Sequence, residues 1–346
     1  MSKPMNIRAV ARACGVSPAT VSRAIRGTAP VREETRCRIV RYMAESGCAP
    51  PPRPAEKPAG GTVIVLLPEW NQPFYTAVLQ QVQRRLDEKA LSLAVLPEQT
   101  PQLARLLRTL APCGALLLNE DVGAEIPLLL QQNGIPTVMC GAQAPGRAFP
   151  AVHIDDLAAA YDGTNYLLQL GHRHIGFLTD SPRSISTGFQ RIAGCRRALE
   201  EHGLSPDERL FFSRAGDYAS GYDGARALLR QEPELTALFA HSDAAAAGAL
   251  AALRDLGLRV PQDVSLLGFD GTALSSALRP RLSCLCQPIA EMTNAALTLL
   301  EQLGRAAPDE TCPSYTFPHS LAVRDSCAAP AGAAAAPVLP DLEENT

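Results

Sequence analysis

Beyond Thr62 the sequence alternates between short apolar runs and longer amphipathic segments. The runs 63–67, 92–96, 115–118, 137–140, 175–178, 210–213, 237–240, 264–268 and 283–286 have strand length. Segments of helical period fall between most of them, at 73–88, 156–170, 187–201, 218–231, 243–256 and 289–300. This alternation predicts parallel, doubly wound sheets with helices on both faces. Nine strands are too many for one comfortable sheet, so two such subdomains are expected. A hydrophobic fraction of 46% against 19% charged residues supplies their cores and excludes wholesale disorder.

The N-terminal region is different in kind. Residues 6–47 predict a small all-α unit. Asn6 caps a helix from Ile7 to Cys14, and Gly15-Val16-Ser17 makes a tight turn. Ser17 is an N-cap with Pro18 at the first helical position, where its missing N–H costs nothing. That second helix runs to about Ile25, and a third runs from about Arg32 to Ser46. Two short helices joined by a glycine-containing turn form a helix-turn-helix, whose second helix enters the major groove of DNA. Charge agrees with this reading. Residues 1–53 carry a net +7, while the rest of the chain carries −10. A basic head on an acidic body points to an anionic partner, most simply double-stranded DNA. Ser17, Thr20 and Ser22 suit phosphate oxygens. Pro18 and Ala19 offer apolar contact, as to a thymine methyl. Arg23 suits either a guanine edge or a phosphate. The alternative is a helical packing unit with solvated arginines.

Pro50, Pro51, Pro52, Pro54 and Pro58 crowd the next segment, a composition that breaks helices and favours an extended linker. The expected organisation is a DNA-binding domain at 1–47, a linker at 48–61, a ligand-binding and dimerisation domain at 62–327, and a disordered Ala/Pro-rich tail at 328–346. No apolar run is long enough to cross a membrane, and Arg8 and Arg12 interrupt any N-terminal leader. A cytoplasmic protein without a membrane partner is expected. The ten scattered cysteines form no C-x-x-C pair and read as small buried apolar residues. Alternation along a strand would turn Cys284 and Cys286 to one face.

Several stretches resemble the LacI/GalR family of bacterial repressors. In the head these are A-C-G-V-S-P-A-T-V-S-R-A-I and the later T-R-C-R-I-V-R-Y-M-A-E-S-G. In the body they are Val152 to Asp156, Leu170 to Gly176, Arg191 to Gly194, Gly216-Asp217-Tyr218 and Pro261 to Asp270. They occur in order over nearly the whole of residues 6–327. The runs from Phe239 to Asp243 and from Val152 to Tyr166 are most similar to the family's cytidine-repressor branch. The resemblance implies a body of periplasmic-binding-protein type, two doubly wound subdomains with a ligand cleft between them. It implies a homodimer on a pseudo-palindromic operator, and an effector that is a nucleoside or, as the alternative, a pentose or hexose. A second DNA-bound regulator is a further possible partner.

Ligands in such sheets sit beyond the carboxyl ends of the strands. Asp270 matches a family aspartate that binds ligand, and its carboxylate can accept two hydroxyl hydrogen bonds. A helix cap is its alternative. Arg191 matches a ligand-binding arginine, with a surface charge as the alternative. Ser242 stands where many members carry Asn, and Asp243 either binds or caps the next helix. Phe74 and Tyr218 are candidates for stacking on a base or sugar, or for the core. Gly141 replaces an Asp frequent in sugar-responsive members, and Gly271 replaces a frequent polar residue. The family's hinge helix, with its leucine wedge in the minor groove, is not expected, because Pro52, Pro54 and Pro58 oppose it and no leucine lies between Gly47 and Leu66.

Chemistry of other kinds finds no support. His172-x-His174 reads as a loop and strand start rather than a metal pair. There is no phosphate-cradling P-loop, nucleophile elbow or catalytic constellation, so no cofactor, metal or enzymatic role is expected. A solute-binding protein and an enzyme on the same scaffold are the rival classes; the basic head disfavours the first and the missing nucleophile the second.

Overall fold

A strand buried on both faces belongs in the middle of a sheet, and β1 (Thr62–Leu67) is buried at all six positions. In the computed structural model it lies between β2 (Ser92–Pro97) and β3 (Gly114–Leu117), both parallel to it. The structure describes residues 7–26, 31–32, 34–35, 38–39, 41–42, 61–68, 72–98, 102–118, 125–142, 150–305 and 314–331. β4 (Thr137–Cys140), β5 (Ala151–Ile154) and β11 (Tyr315–Phe317) complete a sheet in the order β11-β5-β4-β3-β1-β2. Alternate residues of β1 serve different layers. Val63, Val65 and Leu67 share a core with Val78, Val82 and Leu86 of α3 (Pro73–Asp87). Ile64 and Leu66 meet Leu103 and Leu107 of α4 (Leu103–Leu110) and Leu130 of α5 (Glu125–Gln132).

The second sheet repeats the plan. β6 (Ile175–Thr179), β7 (Phe211–Ser213), β8 (Ala237–Ala240), β9 (Ser265–Asp270), β10 (Ser283–Cys286) and β12 (Ser320–Ala322) run in the order β12-β10-β9-β8-β6-β7. α6 (Asp156–Gln169), α7 (Arg191–Glu201), α8 (Tyr218–Gln231), α9 (Asp243–Asp255) and the short α10 (Ala273–Ala277) belong to this half. α11 (Ile289–Arg305) returns to the first sheet, where Leu297, Leu299 and Leu300 join the core of β1. The chain therefore passes between the sheets three times, after β5, after β10 and after β11. In each sheet the strand order reverses beside the first strand, between β1 and β3 and between β6 and β8. Such switch points open a crevice at the carboxyl ends of the strands.

Three of these strands were not expected from sequence. β5 is four residues long, and β11 and β12 are three each at sheet edges, too short for a clear period. The strand expected at 264–268 runs from Ser265 to Asp270, so Asp270 is its final residue. α7 is preceded by a π-helical turn, Ile185–Gln190, and β7 by a 3-10 turn, Glu208–Leu210. The ordered body extends past Cys327, which corrects the expected start of the tail. Ala328 N–H donates to Ser265 Oγ at 3.0 Å, and its carbonyl accepts from Ser265 Oγ at 3.0 Å and meets His172 Nε2 at 2.9 Å.

The chain divides into two units, Met1–Ala59 and Gly60–Thr346. In the first, α1 (Ile7–Ala13) and α2 (Pro18–Arg26) pair across a core of Val10, Ala11, Cys14, Val21 and Ile39. In the expected third helix the described residues 34–35, 38–39 and 41–42 are helical, whereas Arg32, its expected start, is not. Asn6, the side chain of Ser22, the segment 48–60 and residues 332–346 lie outside the described residues.

Candidate functional site

In the first unit, Ser17 Oγ accepts from Thr20 N–H at 3.0 Å, the expected N-cap bond, and lies 2.8 Å from Thr20 Oγ1. The two hydroxyls share one hydrogen bond, so one hydroxyl proton remains for an outside acceptor. Pro18, Ala19 and Arg23 are exposed. Ala19 and Arg23 are four residues apart and so lie on one face of α2. An exposed, basic second helix braced by a buried helical core is the arrangement a helix-turn-helix needs.

In the second unit, the strand ends of both sheets surround a cavity of about 360 Å³. Phe74, Arg191, Ser242 and Asp270 all line it. Tyr218 does not, which corrects the expectation for that residue. Asp217 caps α8 by accepting from Ser220 N–H at 2.7 Å, and this phase leaves Tyr218 52% exposed, on a surface groove with Tyr222, Leu250 and Arg254.

Arg191 is the centre of the polar wall. It is only 3% exposed and donates from Nε to Asp156 Oδ1 at 2.8 Å and from Nη1 to the His241 carbonyl at 2.6 Å. Its guanidinium carbon lies 3.7 Å from the centroid of the Phe269 ring, a cation–π contact. Burial opposes its charge, but Asp156, Asp270 and Asp180 more than offset that. Asp270 lies at the end of β9 with φ +92°, a strained backbone for a residue with a Cβ. Gln287 donates to Asp270 Oδ1 at 2.9 Å from Nε2 and to its carbonyl from the backbone. Burial raises the Asp270 pKa, and Arg191 works the other way. Gly271 follows at φ +72°, and a Cβ there would fall 2.5 Å from Cys286 Sγ. The positive φ and the close packing against Cys286 account for glycine at that position.

Ser242, not Asp243, caps α9. Its Oγ accepts from Ala245 N–H at 3.0 Å and donates to the Gly216 carbonyl, so the hydroxyl shapes the cleft wall. Asp243 is buried and accepts from Thr272 N–H at 2.6 Å and Thr272 Oγ1 at 2.7 Å. Burial and the neighbouring Asp270 push its pKa up from 3.8 to about 7. His241 is 1% exposed, and burial and Arg191 lower its pKa well below 6.5. The imidazole is therefore neutral, its Nε2 3.6 Å from Cys195 Sγ. Sequence reasoning passed over Asp156, Asp180, Thr187, Arg214, His241 and Gln287 as site residues. Their signal was position, since most stand just beyond a strand.

His172 is buried between Thr236 Oγ1 and the Ala328 carbonyl, each 2.9 Å from a ring nitrogen, so it makes no ligand pair with His174. Exposed His174 instead neighbours Glu232 and Glu234. The described cysteines are free; Cys14, Cys140, Cys195 and Cys284 are buried as expected, whereas Cys113 is exposed. Among the described residues no helix is long and apolar enough to cross a membrane.

A DNA-reading head followed by a two-sheet body with a polar cleft defines a class, the ligand-responsive transcriptional regulators. The comparisons specify it further. Residues 6–50 match the model for bacterial regulatory proteins of the lacI family, and residues 164–327 match a periplasmic binding protein-like domain. The chain is 31% identical over 298 residues to the HTH-type transcriptional repressor CytR of Escherichia coli (strain K12), covering 84% of this chain and 87% of that protein. It is also 31% identical over 297 residues to the HTH-type transcriptional regulator DegA of Bacillus subtilis, covering 82% and 86%. Among solved structures, a CelR–cellobiose complex aligns with TM-score 0.69 and 29% identity over 93% of this chain and 99% of that one. A LacI-family regulator from Enterococcus faecium with bound ribose aligns with TM-score 0.70 over 78% and 99%, and at 24% identity it speaks for the fold alone. The chain belongs to the LacI family. It is a DNA-binding transcriptional repressor with a small-molecule effector domain.

Proposed function

We propose that the effector is a nucleoside bound between the two subdomains, and that its binding changes operator affinity. The observation that carries this reading is the buried Asp270 carboxylate beside Arg191, with the Phe74 ring lining the same cavity. A carboxylate and a guanidinium in a low-dielectric site recognise a sugar diol, because unpaired polar groups there strongly disfavour ligands lacking it. Similarity to CytR supports the choice of nucleoside. A free pentose or hexose is the second reading, favoured by the likeness to the CelR–cellobiose complex. The protein works in the cytoplasm as a homodimer, one head on each half of a pseudo-palindromic operator. Ser17, Pro18, Ala19, Thr20, Ser22 and Arg23 present the DNA-reading surface. The prolines within residues 50–58 oppose a hinge helix, and that composition suits cooperation with a second DNA-bound regulator. Catalysis is not part of this role.

Thermal-shift measurements against nucleosides, pentoses and hexoses test the assignment. An effector at 100 times its Kd adds about 2.7 kcal/mol of stability. Stabilisation by cytidine or a related nucleoside, absent in Asp270→Ala, is the expected result. Response to sugars alone would leave the family assignment standing and remove the nucleoside.

A further inference from the structure

The amino ends of β6 and β8 lie at the far end of the strands from the cleft. Ile175 and Ala237 are register partners there, and the residues just before them are tied together. The His174 carbonyl accepts from Thr236 N–H at 3.0 Å and from Thr236 Oγ1 at 3.4 Å. Glu232 and Glu234 stand on the turn from α8 into β8, with Pro233 between them. Proline fixes one dihedral of that turn, and Leu235 N–H closes it on the Glu232 carbonyl at 3.3 Å. The backbone therefore brings one imidazole and two carboxylates to one spot, where a donor atom from each lies within 4.8 Å of the others.

Two features of this spot favour a cation. The carboxylates repel each other, and among the described residues no side-chain hydrogen bond or ion pair engages His174, Glu232 or Glu234. Arg209, whose field reaches Glu232, is itself paired with Asp207 at 2.6 Å. The spot also adjoins the carboxyl end of α8, where the helix dipole disfavours negative charge and favours positive.

We propose that His174, Glu232 and Glu234 bind a divalent transition-metal cation of the zinc class. An imidazole nitrogen with two carboxylate oxygens is a ligand set such ions accept, water completing the shell. Mg²⁺ and Ca²⁺ prefer oxygen ligands alone. Ligands of tetrahedral zinc stand about 3.3 Å apart, so the donors close in by side-chain rotation, which the exposure of His174 and Glu234 allows. The ion ties the end of α8 to the starts of β6 and β8. Thr236 extends the tie inward, since its Oγ1 lies 2.9 Å from buried His172, whose other ring nitrogen meets the Ala328 carbonyl. The metal thus braces the second subdomain from the side the effector does not reach. The sequence hides this site, because the partners of His174 come from the α8–β8 turn and not from its neighbour His172.

Titration of the EDTA-treated full chain with Co²⁺, followed by calorimetry and visible absorption, tests the proposal. The expected result is one saturable site per chain, displaced by Zn²⁺, with no thiolate-to-cobalt charge-transfer band. His174→Ala and Glu234→Gln should each weaken Co²⁺ binding at least about tenfold, the low end of what losing even a supporting group costs a metal site. Both positions are exposed, so the metal-free variants should match the parent in circular dichroism and melting temperature. Zn²⁺ should then raise the melting temperature of the body in the parent and not in either variant. A thiolate band would assign the ion to cysteines and overturn the proposal. Unchanged affinity in His174→Ala, equal binding of Mg²⁺, or no saturable binding would overturn it as well.

Discussion

Asp243 and Asp270 place two carboxyls in one buried neighbourhood, and Arg191 favours the charged form of Asp270. Burial raises both pKa values, and for Asp243 the rise is from 3.8 to about 7. Within that window the folded protein holds a proton that the unfolded chain has released, so stability falls as pH rises. Asp243→Asn keeps an acceptor for Thr272 and removes the titration. Its melting temperature relative to wild type should therefore climb between pH 5 and pH 8; a flat difference would mean that Asp243 titrates normally. The neutral His241 acts in the opposite sense, costing stability as pH falls below 6.5, so the profile should be read in the variant as well as the parent. Ser17 has a simpler role. Ser17→Ala should destabilise the head by about 1 kcal/mol through loss of its N-cap, measured on the head's own thermal transition.

At the scale of elements, what the sequence made legible follows from the strength of the local signal. β1, β3, β4 and β8 are apolar apart from an initial Thr62, Gly114 or Thr137, are buried at every position, and lie within one residue of the predicted runs. The cap chemistry of α2 was readable from Ser17-Pro18 alone. β11 and β12 were not, because each pairs at an edge through three residues. Tyr218 was a candidate for ligand stacking or for the core and is neither buried nor in the cleft, because the rotation of α8 about its axis depends on packing against α9, which no local pattern encodes. That packing is close. A Cβ on Gly248 would lie 2.0 Å from the Tyr218 carbonyl oxygen, so Gly248→Ala must push the helices apart. It should cost at least about 1–3 kcal/mol in denaturant unfolding of the body, the usual penalty for overpacking. On α2, Arg23→Ala should weaken operator binding by about 1–3 kcal/mol if Arg23 reads a base, with relaxed preference at one position. A uniform loss across operator sequences would assign it to phosphate instead.

For the whole molecule, charge and connectivity matter most. A head carrying +7 within residues 1–53 should make DNA binding strongly salt-dependent, because each neutralised phosphate releases counterions. If a dimer makes six to ten phosphate contacts, affinity should fall by about 10³–10⁵ between 50 and 200 mM salt. A shallow slope, or a monomer by light scattering on operator DNA, would contradict two heads acting together. Connectivity has a different consequence. α11 and β11 belong to the first sheet yet are encoded after nearly all of the second. On the ribosome, the head is finished while most of the chain is still unmade, but neither half of the body can be completed until about residue 322 has emerged. A nascent repressor therefore acquires the means to hold DNA well before it can sense anything. The same interleaving means that no contiguous fragment contains the whole first subdomain without nearly all of the second, so gene truncation cannot isolate the first.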